Sequence, residues 1–591
     1  MKKLTVENLR SIADPVEITF PTRGPLVLLG ENNAGKSNIT RAIDIMFGER
    51  WPSTHSIEDH DFHGRDSDGI AIKINADVEG LVCSYDSVGS VDHIRWSYDT
   101  QRSGDPIDYS MQCTKCTKTF VSKAIRSPLF AMRIDADRRL SYQLSYTSQW
   151  TLLSKLMHRF HSRLLSKPER KARLETIFND LVAQFSEVSE FKTFRELLTA
   201  TTDDFGQNLT YRLDIDFSAY DPSNFFRSLR IHPKLDGAVR SFDELGTGQE
   251  QILALAFSYA YAKAFGQYDG MILVIDEPES HLHPLAQQWL ATRLGSLATD
   301  GLQVVLTTHS PHFVDMSRPE NLVVVRKSEA DATQLTQVNR AQLATELIST
   351  GADPVRTTAA TVGSFYEASS TTEIKSALFS RLCVLVEGDT EALALPDLLR
   401  LVDFDPLRRG VAVVGVGGIG SLAKWIRLFT ALGTPVYCIF DTDTDKTGSD
   451  AADLLIKRTD IFRALGESTQ GAEIANLSTD SVHVEKNYAT LRDNFEVAIN
   501  TLFGTSWSDK YAESAAVVGA SSKPLRARYT ARELKSMPTP SAAERAIRAL
   551  SEALTQKLPE AHDPVSLAVA TTPTDQQEVP DSEPWDLEPP F

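Results

Sequence analysis

Two groups of residues in this chain are equipped for phosphate and metal chemistry. The first is GENNAGKS, Gly30 to Ser37, which fits G-x-x-x-x-G-K-[ST]. It follows the short apolar run PLVLLG (25–30) and opens the helical pattern KSNITRAIDIMFG. In that setting, loop N–H groups and a helix N-terminus attract phosphate oxygens. Gly30, Asn33 and Gly35 belong to the cradle, Lys36 would reach the β- and γ-phosphates, and Ser37 would hold Mg²⁺. The second group is VLVEGDTE, Val384 to Glu391, with IFDTDTD, Ile439 to Asp445. Glu387 lies just past a strand and Glu391 on the following helix, on one face at i and i+4. Asp441 and Asp443 end another strand, where extended alternation would point both to the same side. Four converging carboxylates repel one another unless divalent cations sit between them. Oxygen-only ligands favour Mg²⁺ or Mn²⁺ over Zn²⁺. Two such ions would stabilise the attacking and leaving oxygens of a phosphodiester displacement.

Elements that must position these groups follow from apolar patterning. MILVIDEPE (271–279) and LQVVLTTHS (302–310) are continuously apolar, as buried parallel strands are. Asp276, at the end of the first, would hold Mg²⁺ through water, and Glu277 would activate the attacking water. His309, at the tip of the second, occupies the place of a γ-phosphate sensor. About 30 residues before the acid pair, ELGTGQEQ (Glu244 to Gln251) opens a long apolar helix. Its N–H donors, with Gly248 and Gln249, suit a phosphate. The P-loop already holds one, so this loop would cap the nucleotide of a second subunit.

These motifs together resemble the ABC-type ATPase head of the structural-maintenance and RecF-like group, with ENLRSI near the start and Arg10 as a nucleotide contact. LGTGQ departs from that group's LSGGQ at Thr247 and the residue before it, while Gly248 and Gln249 match it. About 240 residues separate Lys36 from Asp276, in keeping with helices inserted between the two halves of such heads. An insert of some 50–90 residues is too short for a long arm and suits a helical dimerisation element. The Glu387, Asp441 and Asp443 set, with VGVGGIG between, resembles the Toprim domain. An ABC-type head followed by Toprim is similar to the OLD (overcoming lysogenisation defect) nucleases. That resemblance implies an α/β protein: an ATPase head at 1–150 and 236–345, an insert at 151–235, a connector at 346–380, Toprim at 381–556 and an acidic tail at 557–591. It further implies ATP and Mg²⁺ or Mn²⁺ as cofactors and DNA as substrate. A homodimer or homotetramer, a role in phage defence and a helicase-like or reverse-transcriptase-linked companion also follow. Glu496, in LRDNFEVAI, would complete the carboxylates, and Lys523, in GASSKPLRA, would offset charge on the scissile phosphate. The alternative is a RecF-like DNA-binding clamp or scaffold whose Toprim domain does not cut.

The bulk numbers limit these readings. The chain has 591 residues, enough for two to four domains, and is 42% hydrophobic and 24% charged. It has no apolar run of membrane-spanning length and no apolar signal core behind MKKLTVENLRSI. Five cysteines argue for a reducing cytosol over a disulfide framework. A formal charge of −18 counts against a globally basic nucleic-acid footprint, although RKARLE (170–175) and KPLRARYTARELK (523–535) remain locally basic. Cys113 and Cys116, as CTKC, are half of a zinc site, and His55, His60 and His63 are the histidines available to extend it.

Overall fold

The computed structural model describes residues 1–135, 188–205, 212–217, 229–265, 271–298, 302–470 and 480–559, short gaps aside. Most of the expected insert and the tail from 560 onward lie outside the described residues.

The first sheet is antiparallel. β1 (Lys3–Glu7), β2 (Val16–Thr19), β4 (Ile72–Val82), β5 (Ser90–Tyr98) and β6 (Ile107–Cys113) pair in the order β2-β1-β4-β5-β6. β4 alternates buried and exposed residues, as a strand with one covered face must. The second sheet contains β3 (Leu26–Leu29), β7 (Ala131–Ile134), β11 (Ile272–Asp276), β12 (Gln303–Thr308), β13 (Leu322–Lys327) and β14 (Thr333–Gln337). Its order is β14-β13-β3-β12-β11-β7, parallel apart from the edge strand β14. β3 and β11 are buried along their whole length because both sheet faces are covered. On one side lie α1 (Lys36–Phe47) and the antiparallel sheet, sharing Leu28, Ile43, Ile74 and Val274 in one core.

The expected helical insert at 151–235 is corrected in part. Its described residues include α2 (Ser189–Phe205), but also β8 (Arg212–Phe217) and β9 (Leu229–Leu235), which pair antiparallel, and the short β10 (Ala238–Val239) just beyond it pairs with β9. RLDIDF alternates apolar and acidic residues with period two, a strand pattern that a helix cannot use. Beyond it, α3 (Thr247–Phe265) presses an apolar face on α2, where Phe194 meets Phe257 edge to face.

The third sheet belongs to the C-terminal half. β15 (Leu382–Val386), β16 (Val411–Gly415), β17 (Val436–Asp441) and β19 (Tyr488–Leu491) run parallel, with β18 (Val482–Val484) antiparallel at the edge, in the order β16-β15-β17-β19-β18. The two halves are tied by side chains. The Arg326 guanidinium on β13 donates to Ser380 O and, at 2.9 Å, to Thr434 Oγ1. The chain is thus an α/β protein, with an antiparallel sheet and a largely parallel one in its N-terminal half and a further, mostly parallel sheet in its C-terminal half. Among the described residues no helix is long and apolar enough to cross a membrane.

Candidate functional site

The nucleotide cavity opens where β3, β11 and β12 end together. The loop after β3 needs backbone freedom: Asn33 and Gly35 have φ of 65° and 109°, and a Cβ on Gly35 would meet Thr333 Oγ1 at 2.1 Å. A cavity of about 860 Å³ is lined by Arg10, Asn33, Gly35, Lys36, Ser37, Asp276, Glu277 and His309, among others. The Lys36 ammonium is buried and folded back on its own loop. It donates to Gly30 O at 2.8 Å and Glu31 O at 2.9 Å, and stands 3.0 Å from His309 Nε2. Burial pulls its pKa down to about 8 against the opposing pull of Glu277, Glu279 and Asp276. Burial, then the Lys36 charge, also lowers His309.

A polyphosphate arriving beside Lys36 would restore its ordinary basicity. At pH 8, ATP binding is therefore expected to take up about half a proton or less per site, and markedly less at pH 7. Calorimetry in buffers of different ionisation heat measures this directly. A binding heat independent of buffer at pH 8 would contradict it.

Asp276 lies at the end of β11, as expected, but its carboxylate is engaged. The Arg133 guanidinium donates to Asp276 Oδ2, from Nε at 3.0 Å and Nη2 at 2.8 Å, and Thr307 Oγ1 donates to Oδ1 at 3.1 Å. Arg133 was not singled out from sequence. It sits on β7, 143 residues away in sequence, and parallel pairing of β7 with β11 brings it alongside. Glu277 has φ of 45°, an uncommon conformation for a non-glycine residue and one that concentrates at functional sites. Its N–H donates to Thr307 O at 3.0 Å. Glu279, also unforeseen, accepts from Thr308 Oγ1 at 2.8 Å and from the His309 N–H at 2.6 Å, so it fixes the tip of β12. Gly248 and Gln249 do not line the cavity. A Cβ on Gly248 would come within 2.7 Å of His281 O, and Gln249 accepts from the Gly246 N–H at 3.3 Å. Arg10 pairs with buried Asp61 at 2.8 Å.

The carboxylate nest forms at the ends of β15 and β17. Glu387 lies between β15 and α4 (Asp389–Arg400), so it shares no helical face with Glu391, contrary to the i, i+4 expectation. Its Oε1 instead accepts from the Asp441 N–H at 2.8 Å across the β15–β17 pair. Glu391 is buried in the first turn of α4 and accepts from the Gly388 N–H at 3.1 Å, which caps the helix. Asp443 also reaches the site by another route than expected. β17 stops at Asp441, and Asp443 has φ of 41°, so a left-handed turn, not extended alternation, places it. That turn is pinned by Thr442, whose Oγ1 accepts from the Asp493 N–H at 2.8 Å.

The electrostatics show that these groups crowd one another. Burial, then Glu387, Glu391, Asp443 and Glu496, pushes Asp441 up to about 9. Burial likewise pushes Glu387 up to about 7, with Glu391 and Asp443 adding to it. Asp441 Oδ1 is buried and has no hydrogen-bond partner. Such an oxygen is costly unless a cation meets it. The donor set is all oxygen, the chemistry that suits a hard divalent cation. Two cations missed in the sequence flank the nest: Lys446 Nζ pairs with Asp443 Oδ2 at 2.6 Å, and buried Arg458 leaves Nε and Nη2 unpartnered. Glu496 lies in the first turn of the helix Phe495–Phe503, within electrostatic reach of Asp441 and Glu391. Lys523 opens the helix Lys523–Glu533 with an exposed side chain that pairs with none of the carboxylates, and Asp445 is exposed.

Family models match three stretches: an AAA ATPase domain at 1–79, an AAA domain described as "putative AbiEii toxin, Type IV TA system" at 114–315, and the overcoming lysogenization defect protein-like TOPRIM domain at 378–443. An OLD nuclease of Thermus scotoductus is 27% identical over 459 residues, spanning 75% of this chain and 82% of the relative. The Old nuclease of Escherichia phage P2 is 26% identical over 247 residues, 40% of each chain. Among solved structures, an SMC head domain from Thermotoga maritima is 16% identical, with a TM-score of 0.31 over 57% of this chain and 98% of that one.

Proposed function

We propose that this chain, similar to the OLD nucleases and matched by ATPase and OLD-like Toprim family models, is an ATP-linked, divalent-metal-dependent DNA endonuclease. The observation that carries the proposal is the buried, unpartnered Asp441 Oδ1 among Glu387, Glu391, Asp443 and Glu496. A set of carboxylates that raise one another's pKa has little structural use. It also argues against the scaffold alternative, since a Toprim domain that does not cut has no need of it. Glu387, Glu391, Asp441, Asp443 and Glu496 would hold the cations, which when bound supply charge to the attacking and leaving oxygens of a phosphodiester. Glu387 also fixes Asp441 through its backbone N–H, so the two strand ends are held in register. Lys446 is close enough to Asp443 to compete for it. Exposed Lys523 would meet the DNA backbone at the rim. Supercoiled plasmid incubated with Mn²⁺ or Mg²⁺, with and without ATP, tests the reading: nicked or linear product supports it, and intact plasmid under every condition overturns it.

In the head, Gly30, Asn33, Gly35, Lys36 and Ser37 would hold the phosphates and their Mg²⁺. Glu277 would orient the attacking water, with His309 beside it. Asp276 would join the metal once Arg133 yields it. Because Gly248 and Gln249 lie off the cavity of their own chain, they would serve the nucleotide of a second copy, in a homodimer or larger homo-oligomer. Gln249→Ala is then expected to bind ATP as the parent does but to lose ATP-dependent self-association. Nucleotide titration beside light scattering checks this, and unchanged association would count against capping between subunits. A role against phage, with or without a companion protein, fits the family likeness.

A further inference from the structure

The CTKC pair does not meet the histidines that sequence offered it. His63 Nδ1 lies 2.9 Å from Arg10 O, and both His60 and His63 line the nucleotide cavity; His55 lies outside the described residues. The antiparallel sheet supplies another partner. β4 and β6 both run antiparallel to β5, so their C-terminal ends lie at the same end of the sheet, on either side of the start of β5. Cys83 follows β4, Cys113 ends β6 and Cys116 lies in the turn beyond. The Cys83 N–H donates to Gly89 O at 2.9 Å and the Thr114 N–H to Ser90 O at 2.9 Å, fixing both segments to the β5 entry.

The three Sγ atoms lie within 4.8 Å of one another, with Cys83 and Cys116 3.5 Å apart. Zn–S bonds of about 2.3 Å place the sulfurs of a tetrahedral site about 3.8 Å apart. The three sulfurs therefore approximate one face of such a tetrahedron. The Cys116 N–H is directed at Cys113 Sγ at 3.5 Å, an outer-shell donor of the kind that supports a metal-bound thiolate. A Cβ on Gly89 would lie 2.7 Å from Cys113 Sγ, so a glycine there leaves the sulfur its place. All three cysteines are free thiols, and they sit far from the carboxylate nest in sequence and in a different sheet. No fourth His, Cys, Asp or Glu joins the group among the described residues.

We propose that Cys83, Cys113 and Cys116 form a zinc site that clamps the β4–β5 hairpin to the turn after β6, with its fourth position open to water or an exogenous ligand. The thiolates are soft ligands in tetrahedral spacing, which selects zinc over the hard cations of the carboxylate nest. Since neither the nucleotide cavity nor the carboxylate nest contributes a ligand, the proposal stands apart from nuclease function.

The test uses the full chain, expressed with zinc in the medium and purified without chelator. Elemental analysis is expected to find one zinc per chain. That zinc should persist in Asp441→Asn, and be lost in Cys83→Ser and in Cys116→Ser. The parent protein loaded with Co²⁺ should show thiolate-to-metal charge-transfer absorption, a readout that does not depend on how well the variants fold. Absence of zinc together with absence of the charge-transfer band overturns the proposal, as does a Cys83–Cys116 disulfide found by mass in protein kept from reductant.

Discussion

Asp441→Asn is expected to lower divalent-dependent DNA cleavage by roughly 10³-fold or more, while making the metal-free protein more heat-stable at pH 8. Both effects come from one atom group. The carboxylate of Asp441 is held up to about 9 by burial and by Glu387, Glu391, Asp443 and Glu496. A group whose folded pKa exceeds its ordinary value binds its proton more tightly in the folded state. Its contribution to stability is complete below the ordinary carboxylate range and is lost as pH rises toward the folded value. The metal-free parent should therefore lose heat stability between about pH 4 and pH 9. Glu387, raised to about 7, adds a loss over the lower part of that window. An amide at 441 removes the larger loss but offers a poor ligand. Melting curves in chelator from pH 5 to pH 9, with Mn²⁺ re-addition, measure the first effect, and plasmid relaxation measures the second. A parent melting profile flat across that window, or a cutting Asn variant, would contradict the crowding account.

Lys36→Ala is expected to reduce ATP turnover by about 10²- to 10³-fold and to leave any DNA cleavage indifferent to nucleotide. The lysine is already buried and bonded to Gly30 O and Glu31 O, and its charge is partly suppressed. The loop is therefore set for phosphate before it arrives, and what ATP meets is a cation waiting to be recharged. Removing that cation deletes phosphate binding without removing core volume, since α1 packs through Ile39, Ile43 and Met46. Phosphate release and melting temperature separate the outcomes: low turnover with a parent-like melt supports the assignment, and parent-like turnover refutes it.

The site was legible in sequence where a motif is continuous and hidden where strand pairing assembles it. GENNAGKS and the strand ends carrying Asp276 and Asp441 can be read from apolar runs that stop at polar residues. Arg133 could not, because a single arginine in FAMRI gains meaning only when β7 is laid beside β11. Cys83 was hidden in the same way: the link to CTKC exists only through the β4–β5–β6 meander. Local geometry accounts for the errors near the nest. Extended alternation was the wrong rule for Asp443, since the strand ends two residues earlier in a left-handed turn. Helical spacing was the wrong rule for Glu387, which precedes the helix. Period-two patterning in RLDIDF was available, but a neighbouring helical stretch masked it. Lys446 and Arg458 had no motif to mark them, and only the fold sets them against Asp443 and Glu387.

The most direct measurement is conversion of supercoiled plasmid by the purified full chain in Mn²⁺, run beside Glu387→Gln at matched ATP-binding occupancy. The parent should generate nicked or linear DNA, and the Gln variant should generate none while still binding ATP. A Glu387→Gln protein that cuts as fast as its parent would mean that the phosphodiester chemistry happens somewhere other than the ends of β15 and β17.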